Sequence, residues 1–341
     1  MTPGPRNSIT DVSGIRVGNA HSEELLSGVT VILPEAPAVA AVDCRGGGPG
    51  TRETDALRSE SLVEVVHAIV LSGGSALGLE AAGGMAHWLR ERGVGFPVGP
   101  EQVVPIVPSA ILFDLNNGGD KSRIEEGTYS RLAQRAAETA EVEFDLGNSG
   151  AGMGAKAGTL KGGLGTASLI HNEYTVGAVA AANPFGSVTL PGRPEFWAWP
   201  FERQDELGGL PSPDVSVSLD LDFDFDSPFR EAANTTLCVV ATNARLTRPQ
   251  AQRLAIMAQD GLARAIRPVH TPFDGDTVFV LSTGTQPLGV VPPIDLARLG
   301  MMAADCVARA IARGVYEAQS AGIWKSYRDT FLSAQVVRTE P

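Results

Sequence analysis

Apolar positions along this chain fall mostly in short β-rich runs broken by Gly and Pro, with longer helical stripes near the C-terminal end. Gly28-Val29-Thr30-Val31-Ile32-Leu33 and Ala38–Asp43 predict two strands. Ala68-Ile69-Val70-Leu71, the turn Ser72-Gly73-Gly74-Ser75 and Ala76–Arg92 predict strand, turn and helix, with Ser75 as the helix N-cap and Gly93 as its stop. Further on, Pro105–Asp114 is an apolar run, Asn116-Asn117-Gly118-Gly119 a turn, Ser130–Thr139 a short amphipathic helix and Tyr174–Ala182 a strand. Asp214–Asp226 alternates strictly, with Val215, Val217, Leu219, Leu221, Phe223 and Phe225 set against Asp and Ser. Its five aspartates would repel one another along one face, so an edge strand and an arm are both open. Leu237–Ala241 predicts a buried strand. Arg248 to about Ala265 predicts a helix capped by Thr247, with Ala251, Leu254, Ala255, Ala258 and Leu262 on its apolar face. The strand Val278–Leu281 follows, then a long helix from Pro292-Pro293 to a stop at Gly314.

Composition narrows the class. A chain of 341 residues can bury a large core as one domain or two, and 43% hydrophobic content with 39 glycines fits an α/β protein rich in tight turns. A formal charge of −12 argues against nucleic-acid and anionic-membrane partners. Met1–Arg6 carries neither an apolar nor a basic leader, and no apolar run approaches the roughly 18 residues of a membrane span. Cys44, Cys238 and Cys306 are odd in number and lack metal-ligand spacing, as reduced thiols would be. The expectation is a cytoplasmic protein with no metal and no cofactor.

The chemistry centres on Asn234-Thr235-Thr236, where a hydroxyl residue meets the start of a buried strand. If the bond between Asn234 and Thr235 were cut, Thr235 would carry a hydroxyl nucleophile and a free α-amine of ordinary pKa about 7.7–8.0 to take its proton. An ordinary turn fits the same residues. Ser75 offers a second reading, since a serine at a strand-turn-helix corner can be a nucleophile elbow. That pattern wants Gly-x-Ser-x-Gly, and Leu77 stands in place of the last glycine. Arg45-Gly46-Gly47-Gly48-Pro49-Gly50-Thr51-Arg52 lacks the Gly-Lys-Ser/Thr ending of a phosphate loop and reads as a tight connection lining a cleft. Asp274-Gly275-Asp276 could be a turn and cap, and lacks the further ligands of a calcium loop. His270 beside it reads as structural.

Several of these segments together resemble the P1/DmpA-type peptidase family (family S58), which holds L-aminopeptidase/D-amidase, β-aminopeptidase and nylon-oligomer endohydrolase relatives. The resemblance is carried by Ile9–Asn19, Val42–Thr51, Leu71–Glu80, Gly147–Gly158, Lys161–Gly165, Asn183-Pro184-Phe185-Gly186, Asn234-Thr235-Thr236-Leu237 with Val239–Asn243, and His270–Thr277. It implies a DmpA-like αββα sandwich of N-terminal-nucleophile type, one α/β domain over 1–341. Self-cleavage would divide that domain into a large subunit, 1–234, and a small one, 235–341. Thr235 would be the nucleophile, and Asn183 an oxyanion donor. Asp274 and Asp276 would orient the nucleophile, and Lys161 would be a further catalytic group with Lys156 second to it; a solvated lysine is the other reading. The glycine loops, with Ser149 and Gly150, would wall the cleft beside Phe113, which stands where part of the family has tyrosine and can donate no hydrogen bond. A small peptide, aminoacyl amide or ester, or ω-amino-acid oligomer is the implied substrate, tilted toward the last by the paired aspartates. A homo-oligomer, tetrameric or larger, is implied too. Against these stand a serine hydrolase using Ser75 and an uncleaved, non-catalytic assembly protein on the same fold.

Overall fold

A computed structural model describes residues 1–213 and 234–332; the alternating segment Asp214–Asp226 lies outside them. Two sheets carry the architecture. The larger has six strands in the order Gly163–His171, Tyr174–Ala182, Leu237–Ala244, Thr277–Gln286, Ala38–Cys44 and Val65–Val66. The smaller has five, in the order Ile15–Ser22, Ser27–Pro34, Ile69–Ser72, Ser109–Ile111 and Thr51–Arg52.

Most neighbouring strands are antiparallel, but Leu237–Ala244 pairs parallel with Thr277–Gln286, and Ile69–Ser72 pairs parallel with Ser109–Ile111. A parallel pair needs a crossover. The helices Arg248–Ala258 and Asp260–Ala265 make the first, and Glu80–Glu91 lies within the second.

Successive side chains of a strand face opposite ways, and here both faces are covered. Leu237, Val239 and Ala241, with Val179, Ala181, Phe279 and Leu281, meet Ile15, Val17, Ile32, Ile69 and Leu71 between the sheets. Cys238, Val240, Val278 and Val280 face the other way, onto Leu254, Leu262, Met302, Cys306 and Val307 of the helices. Beyond the smaller sheet, Val29, Val31 and Val70 pack on Met85, Leu89, Leu132 and Ala133 of Glu80–Glu91 and Thr128–Glu138. The layers run helix, sheet, sheet, helix, which is the αββα sandwich expected. Burial on both faces explains why Leu237–Ala241 is uniformly apolar while a half-wet strand would alternate.

Apart from shifts of a few residues at element ends, three helix readings differ from expectation. The helix after Ser75 begins as a 3-10 turn, Ser75–Leu79, and becomes α-helical only at Glu80. Ser75 is the first residue of that turn, with φ +52, and its hydroxyl caps nothing. The Arg248 helix breaks at Gln259, dividing Arg248–Ala258 from Asp260–Ala265, although the Thr247 amide donates to Gln250 Oε1 at 2.8 Å as a capping box requires. The last long helix runs through Gly314 to Glu317. Gly314 serves close packing instead of a stop: a Cβ there would stand 2.8 Å from the Gly163 carbonyl oxygen and 2.9 Å from the Gly165 amide of the facing strand. Among the described residues no helix is long and apolar enough to cross a membrane.

Candidate active site

Strand pairing assembles the site. Leu237 pairs parallel with Thr277, and Ala181 pairs antiparallel with Leu237, so the beginnings of two strands and the end of a third converge. Asn234–Thr236 therefore lies between Asn183 on one side and Asp274–Asp276 on the other. Asn234 and Asp274 form a parallel bridge, in which the Asn234 amide donates to the Phe273 carbonyl at 2.9 Å and the Gly275 amide donates to the Asn234 carbonyl at 2.9 Å. The Thr235 amide donates to the Asn183 carbonyl at 2.8 Å.

The Thr235 hydroxyl donates to the carbonyl oxygen of Asn234 and itself accepts from the Gly275 amide at 3.1 Å. Asn234, Thr235, Asp274 and Asp276 are all buried. One backbone N–H, that of Gly275, thus serves both the hydroxyl and the carbonyl oxygen of the preceding peptide. Such a donor points to where negative charge would develop if that hydroxyl attacked that carbonyl.

The two aspartates hold the backbone around Thr235. Asp276 Oδ1 accepts from the Thr236 amide at 2.9 Å, while its Oδ2 accepts from the His270 amide at 3.1 Å and lies 2.9 Å from His270 Nδ1. Asp274 Oδ1 accepts from the Phe185 amide at 2.9 Å, and its Oδ2 accepts from the Thr271 amide and hydroxyl. Burial, then the neighbouring Asp276 charge, raises the Asp274 pKa above the usual carboxylate value. The glycine run Arg45–Thr51 buttresses this loop: the Gly47 amide donates to the Thr271 carbonyl and the Gly48 amide to the Asp274 carbonyl. Those N–H groups are used inside the protein, as a tight connection would use them.

Asn183 reaches Thr235 through its main chain. Its side-chain Oδ1 accepts from the Lys156 amide at 2.9 Å and its Nδ2 donates to the Phe113 carbonyl at 3.1 Å. One Nδ2 hydrogen remains, with no acceptor among the described residues. Phe113 is half-buried and contributes its backbone carbonyl to this arrangement.

Lys161 is buried, its Nζ donating to the carbonyls of Gly152 at 2.9 Å and Gly162 at 2.8 Å. Desolvation pulls its pKa down to about 7 against the opposing pull of the buried Asp114 carboxylate. Lys156 is half-buried with its ammonium 5.2 Å from the Trp324 ring. Ser149 and Gly150 are buried at the start of a 3-10 turn, Gly150–Gly152, where the Ala151 amide is tied to Thr30 Oγ1. Among the described residues no hydrogen bond joins Lys161, Ser149 or Gly150 to Thr235. Ser75, the other candidate nucleophile, makes no side-chain hydrogen bond among the described residues; its amide donates to the Leu112 carbonyl.

Sequence reasoning missed four participants. The Gly275 amide and the Phe273 carbonyl are backbone groups, invisible to residue type. The His270–Asp276 contact was signalled only by proximity in the chain. Asp114, buried, with its Oδ1 accepting from the Gly74 amide at 2.8 Å, ended an apolar run without any motif.

The profile of peptidase family S58 matches residues 7–326. An uncharacterized aminopeptidase of Mycobacterium tuberculosis (strain ATCC 25618 / H37Rv) is 43% identical over 350 residues, spanning 96% of this chain and 99% of that protein. A 6-aminohexanoate-oligomer endohydrolase of Kocuria sp. (strain KY2) is 31% identical over 301 residues, spanning 86% and 79%. Among solved structures, the L-aminopeptidase D-Ala-esterase/amidase from Ochrobactrum anthropi, described as a variant of the Ntn hydrolase fold, superposes with a TM-score of 0.71 at 22% identity, covering 93% of this chain and 88% of that one. A Burkholderia sp. beta-aminopeptidase superposes with a TM-score of 0.71 at 22% identity, covering 100% and 96%. The chain therefore belongs to peptidase family S58 and is a hydrolase of peptide or amide bonds, built on the Ntn-type αββα fold.

Proposed function

We propose that this chain is a self-processing amidohydrolase whose nucleophile is Thr235, released by cleavage of its own Asn234–Thr235 bond into a 1–234 and a 235–341 subunit. The observation that carries this reading is the Gly275 amide, which lies within hydrogen-bond reach of both the Thr235 hydroxyl and the Asn234 carbonyl oxygen.

In processing, the Thr235 oxygen adds to the Asn234 carbonyl carbon and the Gly275 N–H stabilises the oxyanion. The C–N bond then breaks, the Thr235 nitrogen takes a proton, and an ester joins Asn234 to Thr235 Oγ1. Water hydrolyses that ester, freeing a carboxylate on Asn234 and an α-amine on Thr235. The amine is left beside the Asn183 carbonyl that already holds the Thr235 nitrogen. In turnover it takes the hydroxyl proton and passes it to the departing amine or alcohol as the substrate's C–N or C–O bond breaks, Thr235 carries the acyl group, and water releases the acid. Asp274 and Asp276 fix the strand starts, while the remaining Asn183 Nδ2 hydrogen is available as a second oxyanion donor. Lys161, with its pKa near neutrality, can exchange a proton inside the glycine-rich wall.

The substrate class is a small peptide, an aminoacyl amide or ester, or a linear oligoamide, in keeping with relatives named aminopeptidase and 6-aminohexanoate-oligomer endohydrolase. The test is the intact mass of freshly purified wild type and Thr235→Ala, with amidase assays on both. Two fragments meeting at Asn234 and Thr235 in the wild type, beside a single inert chain in the variant, are expected. An uncut wild type, or a Thr235→Ala protein of full activity, would refute the assignment.

A further inference from the structure

Two aromatic rings, on residues whose backbones bond to Asn234 and Asp274, are not used by the chemistry above. Phe185 and Phe273 lie with ring centroids 5.4 Å apart at an interplanar angle of 37°. Phe273 is 40% exposed, whereas Phe196, Phe279 and Tyr327 are at most 2% exposed. An exposed large apolar residue is ordinary when it stands alone. Here the pair is tied through its backbone to residues at the Asn234–Thr235 bond and its acidic loop: the Phe273 carbonyl accepts from the Asn234 amide at 2.9 Å, and the Phe185 amide donates to Asp274 Oδ1 at 2.9 Å.

These ties say which side of the scissile bond the rings serve. The ester formed in processing is an acyl-enzyme whose acyl residue is Asn234, and Asn234 is the residue paired with Phe273. A substrate acyl group bound to the same oxygen, with its carbonyl at the same Gly275 amide, extends along the same neighbours. The nearby acids, Asp274 and Asp276, disfavour a further negative charge there.

We infer that the Phe185–Phe273 ring pair is the specificity-determining wall of the acyl subsite, receiving an uncharged aliphatic or aromatic side chain; this rests on the reading of Thr235 as the nucleophile. The rings contribute contact area to such a chain and nothing to a glycyl group, so the wall acts on selectivity more than on chemistry.

The test compares glycyl- and leucyl-p-nitroanilide on processed wild type, Phe273→Ala and Phe185→Ala, with fragment masses recorded for each protein. Wild type is expected to favour leucyl in kcat/KM by about tenfold or more, since a few methylenes in an apolar subsite carry that much discrimination. Each variant is expected to be cut at Asn234–Thr235 and to lose most of the leucyl preference, through a leucyl KM that rises more than the glycyl KM does. A cut wild type without leucyl preference overturns the wall. So does an unchanged ratio in Phe273→Ala, or a loss equal for both substrates, which would mark a purely structural ring. A wild type never cut at Thr235 refutes the nucleophile assignment itself.

Discussion

The Gly275 amide donates to the Thr235 hydroxyl at 3.1 Å, and a Cβ on residue 275 would stand 2.6 Å from that same oxygen. The φ of Gly275 lies outside the left-handed region, so alanine is conformationally acceptable there. The conflict is with the Thr235 hydroxyl oxygen and with the Gly48 carbonyl oxygen, 2.9 Å from the same Cβ. Gly275→Ala therefore keeps the N–H but displaces the oxygen it serves. Processing should slow by about 10²–10³, the size of effect seen when one oxyanion donor is lost. Fragment mass against time, with circular dichroism to confirm folding, would measure it.

Asp276→Asn tests the acidic loop from the other side. Asp276 accepts at Oδ1 from the Thr236 amide and at Oδ2 from the His270 amide. A carboxamide supplies one acceptor oxygen, so its NH₂ must face either the buried Thr236 N–H or the part-buried His270 N–H. The loss should be about 1.5–3 kcal/mol, the range for a hydrogen bond to a charged group, and should appear as a lower urea midpoint with slower processing. An unchanged midpoint would show that the loop is held by Asp274 and the glycine run alone.

Much of the αββα frame could be read in the sequence because its strands are buried on both faces. Tyr174–Ala182 has the bounds expected, and Leu237–Ala241 lies within the observed strand. The misreadings share a cause. Ser75 and Gly314 carry residue types that punctuate helices, yet here they answer to neighbours remote in the chain: Leu112 for the Ser75 amide, Gly163 and Gly165 for Gly314. At the site, residue type could nominate Thr235 beside an ordinary turn, while Asn183, Asp274 and Asp276 were nominated by the family resemblance. It could not say that the Asn183 carboxamide is engaged by Lys156 and Phe113, because that depends on where separate strands end.

Lys161 makes stability depend on pH in a defined direction. Its folded pKa, about 7, lies below the ordinary value of 10.5. Between those values the unfolded chain holds the proton that the folded protein has released. Stability from this group therefore rises with pH from about 7 to about 10.5, by at most about 1.4 kcal/mol per pH unit. Lys161→Met should flatten that rise in urea titrations at stepped pH. If the wild-type and variant curves run parallel over this interval, Lys161 keeps its proton in the folded protein and the argument fails.

The contact between Gly314 and the Gly163–His171 strand sets two effects of opposite sign against each other. Alanine in a helix interior is favoured over glycine by about 0.8–1.0 kcal/mol. At position 314 its Cβ would meet the Gly163 carbonyl oxygen at 2.8 Å and the Gly165 amide at 2.9 Å, both backbone atoms of the edge strand paired along its length with Tyr174–Ala182. Neither can move as a side chain would, and forcing a methyl group into a packed contact costs about 1–3 kcal/mol. Packing outweighs propensity, so Gly314→Ala should destabilise, and Gly314→Val should do so more. Lys161 and Gly162 lead into that same strand, so a helix pushed outward also disturbs the carbonyl cradle around Lys161. Thermal unfolding would give the sign, and a Gly314→Ala protein more stable than wild type would mean that helix and strand have room to part.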